Sequence, residues 1–241
     1  MAVIYEPKGR AREYSPLACN VYNGCDHRCS YCWVPSVTRM SRDDFEQPKL
    51  RAGRFLQNVR IESFAMRGTK ERVLLSFTCD PYQTFDVEHQ VTRSVIKALH
   101  RNGIPVQVLT KGGTRALRDL DLFTQVDAFA TTLTLLDPII SLQWEPGAAT
   151  PIDRIRTIKR FHEAGIPTWV SLEPVLDPAV ALQIIEETHP FVDLYKVGTL
   201  NYHPLAKTID WPKFAHDVLD SLKRHNKEYY IKDDLRMFLT G

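Results

Sequence analysis

Three cysteines near the start of the chain have the type and spacing to hold a metal cluster. Cys25, Cys29 and Cys32 form a C-x3-C-x2-C motif directly after an apolar run. Iron–sulfur clusters are held by cysteine thiolates, and three ligands on a four-iron cluster leave one iron free to take another molecule. The spacing therefore predicts a [4Fe-4S] cluster with one iron open to chemistry.

A zinc site is the alternative interpretation of these cysteines. It needs a fourth ligand, which His27 or a more distant residue would supply. Zinc sites usually pair two short Cys/His motifs, but the other two cysteines, Cys19 and Cys79, and the remaining histidines are scattered singly. The sequence favours the iron–sulfur cluster, and Gly24 permits the turn that leads into its loop.

The elements that must position this loop alternate between strand and helix patterns. Short runs, most of them rich in Val, Leu, Ile or Thr, predict six strands, at Leu17–Tyr22, Val73–Thr78, Pro105–Thr110, Ala128–Leu135, Thr168–Leu172 and Leu194–Gly198. Helical patterns predict six helices, at Leu50–Arg67, Val87–Asn102, Thr114–Phe123, Pro151–Ala164, Pro178–Thr188 and Trp211–Asn226. The alternation predicts an α/β fold, a partial (β/α)6 TIM-type barrel, because a full barrel uses eight such units. The cysteine loop then lies at the carboxyl-terminal face of the strands, where barrel active sites lie.

The composition is that of a globular protein and predicts one domain over residues 1–241. The chain is 44% hydrophobic and 25% charged, and its net charge of +2 neither requires nor excludes a nucleic-acid partner. The N-terminal segment lacks the apolar stretch of a signal peptide, and no apolar run approaches the ~20 residues that span a bilayer. We therefore expect a cytoplasmic protein that does not contact a membrane.

The cysteine motif, with Tyr31 before its last cysteine, resembles that of the radical S-adenosylmethionine superfamily. A closer similarity, to the group of spore photoproduct lyase and the "DNA repair photolyase"-like proteins, runs through most of the chain. Its landmarks are Asn20-x-Tyr-x-Gly-Cys25, Asp80-Pro-Tyr-Gln83, Thr110-Lys111, Arg118-Asp119, Glu145-Pro146 and Arg154. The resemblance implies that the open iron chelates S-adenosylmethionine and that an electron from the cluster breaks its sulfur–carbon bond. The resulting 5′-deoxyadenosyl radical then abstracts hydrogen from a substrate, and a one-electron donor such as flavodoxin or ferredoxin is an implied partner.

The resemblance also implies contacts to S-adenosylmethionine, each of which has a simpler alternative. Lys111 would meet the cofactor's carboxylate, or it is an ordinary exposed lysine. Thr78 and Asp80 would contact its amino group, although an aspartate before Pro81 also suits a plain turn. Tyr31 would stack on the adenine, or it packs against the barrel mouth.

Three further residues and one pair of threonines follow from the same resemblance or its landmarks. Thr132 and Thr134 share a strand face and would contact ribose or methionine, or they reflect strand propensity alone. Cys79 would return a hydrogen atom, as a cysteine does in the photoproduct lyase, although a small buried hydrophobic residue is the commoner interpretation. The roles of Glu145 and Arg154 stay open, since an Arg–carboxylate pair can brace a loop or touch a ligand.

The substrate is predicted least well. The segment Ser36–Arg72 holds nine Lys/Arg and five Asp/Glu, so DNA or RNA is a candidate partner, although long helices also carry such charge on a solvated face. Trp33, Trp144 and Trp211 would form a platform for a base or serve as core anchors. Radical modification of a small molecule or peptide is one alternative function, and a cluster-bearing sensor that does not turn over is another.

Overall fold

The centre of the protein is a curled parallel sheet, seen in a computed structural model that describes residues 2–239. Its seven strands follow one another in chain order across the sheet, and every neighbouring pair is parallel. They are β1 (Leu17–Ala18), β4 (Val73–Leu75), β5 (Val106–Thr110), β6 (Ala128–Thr132), β7 (Thr168–Leu172), β8 (Leu194–Val197) and β9 (Glu228–Ile231). The curled sheet with helices between its strands confirms the predicted α/β fold, a partial TIM-type barrel.

The strands differ from the predicted ones at two places. The predicted strand Leu17–Tyr22 divides into β1 and a separate short strand, β2 (Tyr22–Asn23), which pairs antiparallel with β3 (Lys49–Leu50). The sheet also gains a seventh strand, because β9 pairs in parallel with β8 at the edge of the sheet. Three of the four residues of β9 are not buried, so this strand lacks the apolar run that identifies the others.

Helices connect the strands and agree in part with the predicted ones. Their bounds are α1 (Val34–Thr38), α2 (Arg42–Phe45), α3 (Phe55–Ala65), α4 (Phe85–His89), α5 (Val91–His100), α6 (Pro138–Trp144), α7 (Pro151–Glu163), α8 (Pro178–Thr188), α9 (Trp211–Arg224) and α10 (Asp233–Arg236). The predicted helix at Val87–Asn102 is divided by Gln90, which has φ +48°. The predicted helix at Thr114–Phe123 is a 3-10 helix over Gly113–Leu122. Thr150 and Asp177 cap α7 and α8 with their side chains, as Ser, Thr and Asp commonly do at helix starts.

The two faces of the sheet carry different cores. Alternate strand residues such as Phe129 and Val170 pack in the large apolar layer beneath the helices. Their neighbours face inward, where Ala130 and Trp169 belong to a smaller cluster that the N-terminal segment joins through Tyr14. The inner face is therefore filled at its base, and the carboxyl ends of the strands form its mouth. Within residues 2–239, no helix has both the length and the hydrophobicity to cross a membrane.

Candidate functional site

The three cysteines lie together on the loop that leaves β2 at the mouth of the barrel. All three are free thiols, with Cys29 buried and Cys25 and Cys32 partly exposed. Gly24 begins the loop with φ +85°, and a Cβ at this position would come within 2.5 Å of the Phe45 carbonyl oxygen. The loop therefore requires glycine at this point both for its backbone conformation and for the close approach of α2.

Arg42, in the first turn of α2, holds the carbonyl groups of this loop. Its Nη1 donates to the Cys29 oxygen at 3.1 Å, and its Nη2 donates to the Ser30 and Cys32 oxygens at 3.2 and 3.3 Å. One guanidinium group thus fixes the carbonyls of two of the cysteines and of the serine that lies between them. This role could not be predicted from the sequence, because an arginine in a basic segment gives no sign of which backbone groups it will bind.

The opposite side of the loop is held by the segments that follow β4 and α6. The Gln83 side chain accepts from the Asp26 amide at 2.8 Å and donates to the Gly24 carbonyl at 3.3 Å. The Ser30 amide donates to the Trp144 carbonyl at 2.9 Å, and the Gly147 amide donates to the His27 carbonyl at 3.0 Å. These bonds fix the loop without using any of its thiols.

His27 is not available as a metal ligand in this arrangement. It is 2% exposed, its Nδ1 lies 3.4 Å from Asp80, and its Nε2 lies 3.1 Å from an Arg115 nitrogen. Burial lowers the pKa of His27 to about 4, although Asp80 opposes this shift. The imidazole is therefore neutral at pH 7, and its second nitrogen accepts from arginine.

The donor set fits an iron–sulfur cluster, because it consists of three thiols on one short loop. A zinc site would need a fourth ligand, and the candidate His27 is engaged by Asp80 and Arg115. Burial raises the pKa of all three thiols, to about 11 for Cys29, whereas Lys111 acts to lower it for Cys29 and Cys32. Binding of iron would therefore release protons from these groups.

Lys111 lies beside the cysteine loop, directly after β5. Its Nζ is 3.8 Å from Glu145 Oε1 and 5.4 Å from the centre of the Tyr31 ring. Burial acts to lower the pKa of Lys111, but Cys29 and Glu145 outweigh it, so the pKa stands above its usual range. The ammonium group is thus a fixed positive charge in the mouth, as its predicted contact with a carboxylate requires.

Glu145 and Arg154 form a buried ion pair that links this charge to the sheet. Their side chains are 0% and 1% exposed. Glu145 accepts hydrogen bonds from Arg154, from the Tyr31 hydroxyl and, at 3.1 Å, from the Thr134 hydroxyl. Arg154 also donates to the Thr132 carbonyl at 3.1 Å. The pair, whose role the sequence left open, braces the mouth from within.

This network brings four of the predicted cofactor contacts together and shows what each already binds. The Tyr31 and Thr134 hydroxyls donate to Glu145, so their rings or methyl groups, not their oxygens, remain to touch a ligand. Thr132 is 6% exposed and contributes its carbonyl to Arg154. Direct contact of these side chains and Lys111 with S-adenosylmethionine stays a prediction.

Asp80 acts as a clamp between two strand ends. Its Oδ1 accepts from the Tyr82 amide at 2.8 Å and the Thr110 hydroxyl at 2.6 Å, and its Oδ2 accepts from the Lys111 amide at 2.7 Å. Thr78 lies nearby with its amide bound to Asn20 Oδ1 at 2.9 Å. Both predicted residues are therefore at the mouth, and Asp80 orients the backbone that carries Lys111.

Cys79 lies in the apolar layer between the sheet and the helices. It is 9% exposed, and its sulfur accepts from the Tyr22 amide at 3.4 Å. Burial raises the pKa of this thiol to about 11. This environment is that of a small buried hydrophobic residue, and return of hydrogen by Cys79 stays a prediction.

The three tryptophans have different surroundings. Trp144 packs at the mouth, 6.3 Å from the Tyr31 ring and 5.2 Å from the His203 ring. Trp211 donates its indole N–H to the Ala206 carbonyl and packs against the same small apolar cluster as Trp144, whereas Trp33 is 44% exposed. A role of these rings as a platform for a base stays a prediction.

The family model of the radical SAM superfamily matches residues 19–191. Uncharacterised proteins of Mycobacterium bovis and Mycobacterium tuberculosis are each 30% identical over 166 residues, which is 65% of this chain and 48% of the relative. The chain thus spans about half the length of the curated relatives it matches.

Two solved structures share the fold. Spore photoproduct lyase complexed with dinucleoside spore photoproduct has a TM-score of 0.69 at 13% identity, over 96% of this chain and 80% of that one. Streptococcus suis SuiB bound to S-adenosylmethionine has a TM-score of 0.63 at 14% identity, over 89% of this chain and 45% of that one. Because the family model matches more than half of the chain, the protein belongs to the radical SAM superfamily, whose cofactors are a [4Fe-4S] cluster and S-adenosylmethionine.

Proposed function

We propose that this chain is an enzyme that holds a [4Fe-4S] cluster through Cys25, Cys29 and Cys32 and cleaves S-adenosylmethionine reductively. The observation that carries the proposal is the three-cysteine loop, fixed by Arg42 and by backbone bonds at the mouth of the barrel. When bound, the cluster and S-adenosylmethionine supply a 5′-deoxyadenosyl radical, which abstracts hydrogen from a substrate. A one-electron donor such as flavodoxin or ferredoxin supplies the electron.

The chain's own residues then act by orientation and by charge. Lys111 presents a partly buried ammonium group to the carboxylate of S-adenosylmethionine, and Glu145 keeps that group in place. The Glu145–Arg154 pair fixes Tyr31, whose ring lines the same side of the mouth. Such a preformed arrangement orients the cofactor and excludes side reactions, which is the protein's part in cofactor chemistry.

The cluster assignment is tested by anaerobic iron–sulfide reconstitution of single cysteine variants. Cys32→Ala should lose most of its iron and form no 5′-deoxyadenosine from S-adenosylmethionine with dithionite, because a ligand is missing. Cys19→Ala is the matched control, since Cys19 is fully buried in the core outside the loop. Stoichiometric zinc without iron in anaerobically prepared protein would rule out the proposal, and cluster loading without any cleavage would favour a sensor.

Lys111→Ala separates cofactor binding from cluster binding. The variant keeps all three thiols and should keep its iron, while its affinity for S-adenosylmethionine should fall by about tenfold or more, because a charge-assisted contact is lost. Lys97→Ala, a lysine on the solvent side of α5, is the control. Equilibrium binding to the reconstituted protein measures both, and unchanged affinity would remove Lys111 from the site.

Nucleic acid is the substrate class that we put to a separate test. Arg51 is already engaged, since it donates to the Asn20 carbonyl at 3.2 Å and lies over the Phe55 ring, whereas Arg54 and Arg60 are exposed around the start of α3. If this surface binds phosphates, Arg54→Glu and Arg60→Glu should weaken binding of all sequences alike and flatten its salt dependence. No binding of duplex or single strands at low salt would instead leave a small molecule or peptide as substrate.

A further inference from the structure

A second polar cluster occupies the other half of the barrel mouth, at the carboxyl ends of β7, β8 and β9. Glu173, Gly198 and Lys232 each directly follow one of these strands, whose last residues are aligned in register. Lys232 Nζ donates to Glu173 Oε2 at 2.6 Å, and the Tyr14 hydroxyl donates to the same oxygen. The cluster is thus built from strand ends on rigid elements and from the N-terminal segment.

Gly198 makes room for this arrangement. A Cβ at this position would lie 2.8 Å from Glu173 Cδ, 3.0 Å from Glu173 Oε1 and 3.1 Å from a Lys232 side-chain carbon. Its backbone has no positive φ, so the absent side chain, not the backbone conformation, is what the site needs. Strand β8 therefore leaves a gap that Glu173 and Lys232 fill.

Two carboxylate oxygens of this cluster lack a donor. Glu173 Oε1 receives no hydrogen bond from residues 2–239, and its side chain keeps 16% exposure at the mouth. Asp234 is 7% exposed, and its Oδ2 accepts from Thr199 at 2.7 Å and Asn201 at 3.0 Å, while its Oδ1 is buried without a partner among the described residues. An unsatisfied buried acceptor is costly, so Asp234 Oδ1 calls for an internal water, whereas Glu173 Oε1 can be reached by a ligand from the mouth.

The charge of the cluster is already balanced. Lys232 pairs with Glu173 at 2.6 Å and lies 3.8 Å from a third carboxylate, Glu13, and Arg10 lies 3.5 Å from Asp234. Lys196 stands nearby and donates to the Tyr14 carbonyl at 2.8 Å. A further full positive charge would meet these three cations, so the oxygens suit a neutral donor better than an ammonium or guanidinium group.

An aromatic ring lies at the border of the cluster. Phe77 follows β4, is half-buried, and packs edge-on against Tyr14 with ring centres 5.8 Å apart. It belongs to the inner apolar cluster, so its ring bounds the inside of the barrel. A planar ligand whose donor edge meets Glu173 would therefore find a ring to pack against.

We infer that this half of the mouth is the substrate subsite, and that Glu173 accepts an N–H group from the edge of a neutral, planar nucleobase. A carboxylate can accept from the amino group of a base, and enzymes that act on a base read its edge by hydrogen bonds. The inference rests on the proposed function, because it assigns the substrate side of the same mouth. The cluster of Glu145 and Lys111 shares no hydrogen bond with it in the described residues, so the two halves are separate.

The test uses the reconstituted full chain with S-adenosylmethionine and ligand-observed NMR. Cytidine is the probe, and N4,N4-dimethylcytidine, which lacks the amino N–H, is its control. Cytidine should bind at least about tenfold more tightly than the methylated probe. Glu173→Gln should remove that preference, because Lys232 and Tyr14 would hold the amide oxygen and turn the NH2 group toward the ligand.

Gly198→Ala is the second variant, because Glu173→Gln leaves Lys232 without its charge partner and so perturbs the fold more directly. It should weaken cytidine binding by displacing Glu173, whereas Glu163→Gln on the outer face of α7 should not change it. The inference is overturned if both cytidine probes bind equally or if neither variant changes the binding of cytidine. It is also overturned if the protein binds N-acetylglycinamide, a small peptide-like amide, more tightly than cytidine. Binding is read without turnover, so a wild-type protein that fails to cleave S-adenosylmethionine refutes the proposed function alone.

Discussion

Replacement of Arg154 by Met tests whether the buried ion pair holds the mouth together. The variant keeps a side chain of similar length but removes the hydrogen bonds to Glu145, to the Thr132 carbonyl at 3.1 Å and to the Ala149 carbonyl at 2.8 Å. Loss of one partner of a buried pair costs about 3–5 kcal/mol. Lys111, 3.8 Å from Glu145, remains as a partial partner, so we expect the lower end, about 3 kcal/mol.

The cost of Arg154→Met should depend on pH in a defined direction. Burial acts to raise the pKa of Glu145, but Arg154 and Lys111 outweigh it and hold the pKa below its usual range. The ionised carboxylate therefore stabilises the wild type above the pKa of an unfolded glutamate, and this stabilisation is lost as pH falls through the folded value. Without Arg154, burial raises the pKa of Glu145 with less counteracting positive charge, so Glu145 takes up a proton at a higher pH. The penalty should be largest at pH 7 and shrink below about pH 5.

Urea unfolding of the cluster-free protein at pH 7 and pH 4 measures this difference. A loss of about 3 kcal/mol corresponds to a fall of about 6–12 °C in Tm for a chain of this size. Arg160→Met is the control, since that arginine is 64% exposed and its pair with Glu163 should contribute less than about 1 kcal/mol. An equal penalty at both pH values would refute the view that an unpaired Glu145 carboxylate causes it. In the double variant with Glu145→Gln, the two losses should not add.

Three more variants test the bracing of the loop and the buried charge of the barrel. Arg42→Ala should lower the iron retained after reconstitution several-fold while changing the free energy of unfolding by only about 1–2 kcal/mol, because its bonds to three carbonyls are partly exposed; a wild-type iron content would contradict this. Gly147→Ala places a Cβ 2.0 Å from the Asp26 carbonyl oxygen, so unfolding measurements should show a loss of about 1–3 kcal/mol together with poorer cluster loading. Burial and Lys232 lower the pKa of Lys196 to about 8. Between that value and the unfolded pKa only the unfolded state holds the proton, so wild-type stability should gain about 2 kcal/mol from pH 8 to pH 10 from this group. Lys196→Met should lose this gain, and parallel pH profiles of the two proteins in urea unfolding would exclude it.

Most of the fold could be predicted because the strands of a parallel sheet are buried on both faces. Such strands are rich in apolar residues along their whole length, as the fully buried Val73–Leu75 is. Strand β9 lies at the edge and is mostly not buried, so its sequence carries no such signal. The break at Gln90 between α4 and α5 is also set by tertiary packing, since helical periodicity continues through it.

The site was predictable where function depends on local spacing and not where it depends on tertiary contacts. Cys25, Cys29 and Cys32 could be identified because one short loop carries them. Arg42 and Gln83 could not be assigned, because their partners are backbone groups that only the folded chain brings near. The same holds for the Glu145–Arg154 ion pair at the mouth, since the sequence points to both residues but does not predict their role.

The two halves of the mouth are built on the same plan, and their difference separates a structural carboxylate from one that can bind a ligand. Glu145 and Glu173 each accept from a tyrosine and from a buried cation, Arg154 or Lys232. At Glu145 the second oxygen is also occupied, by Tyr31 and Thr134, so the carboxylate has no exposed side and is 0% exposed. At Glu173 both donors bind one oxygen, and the other lies against Gly198 without a donor among the described residues. The first carboxylate can therefore only position its neighbours, whereas the second is held rigidly with one acceptor unpaired, which is the condition for recognising a substrate without first breaking an internal bond.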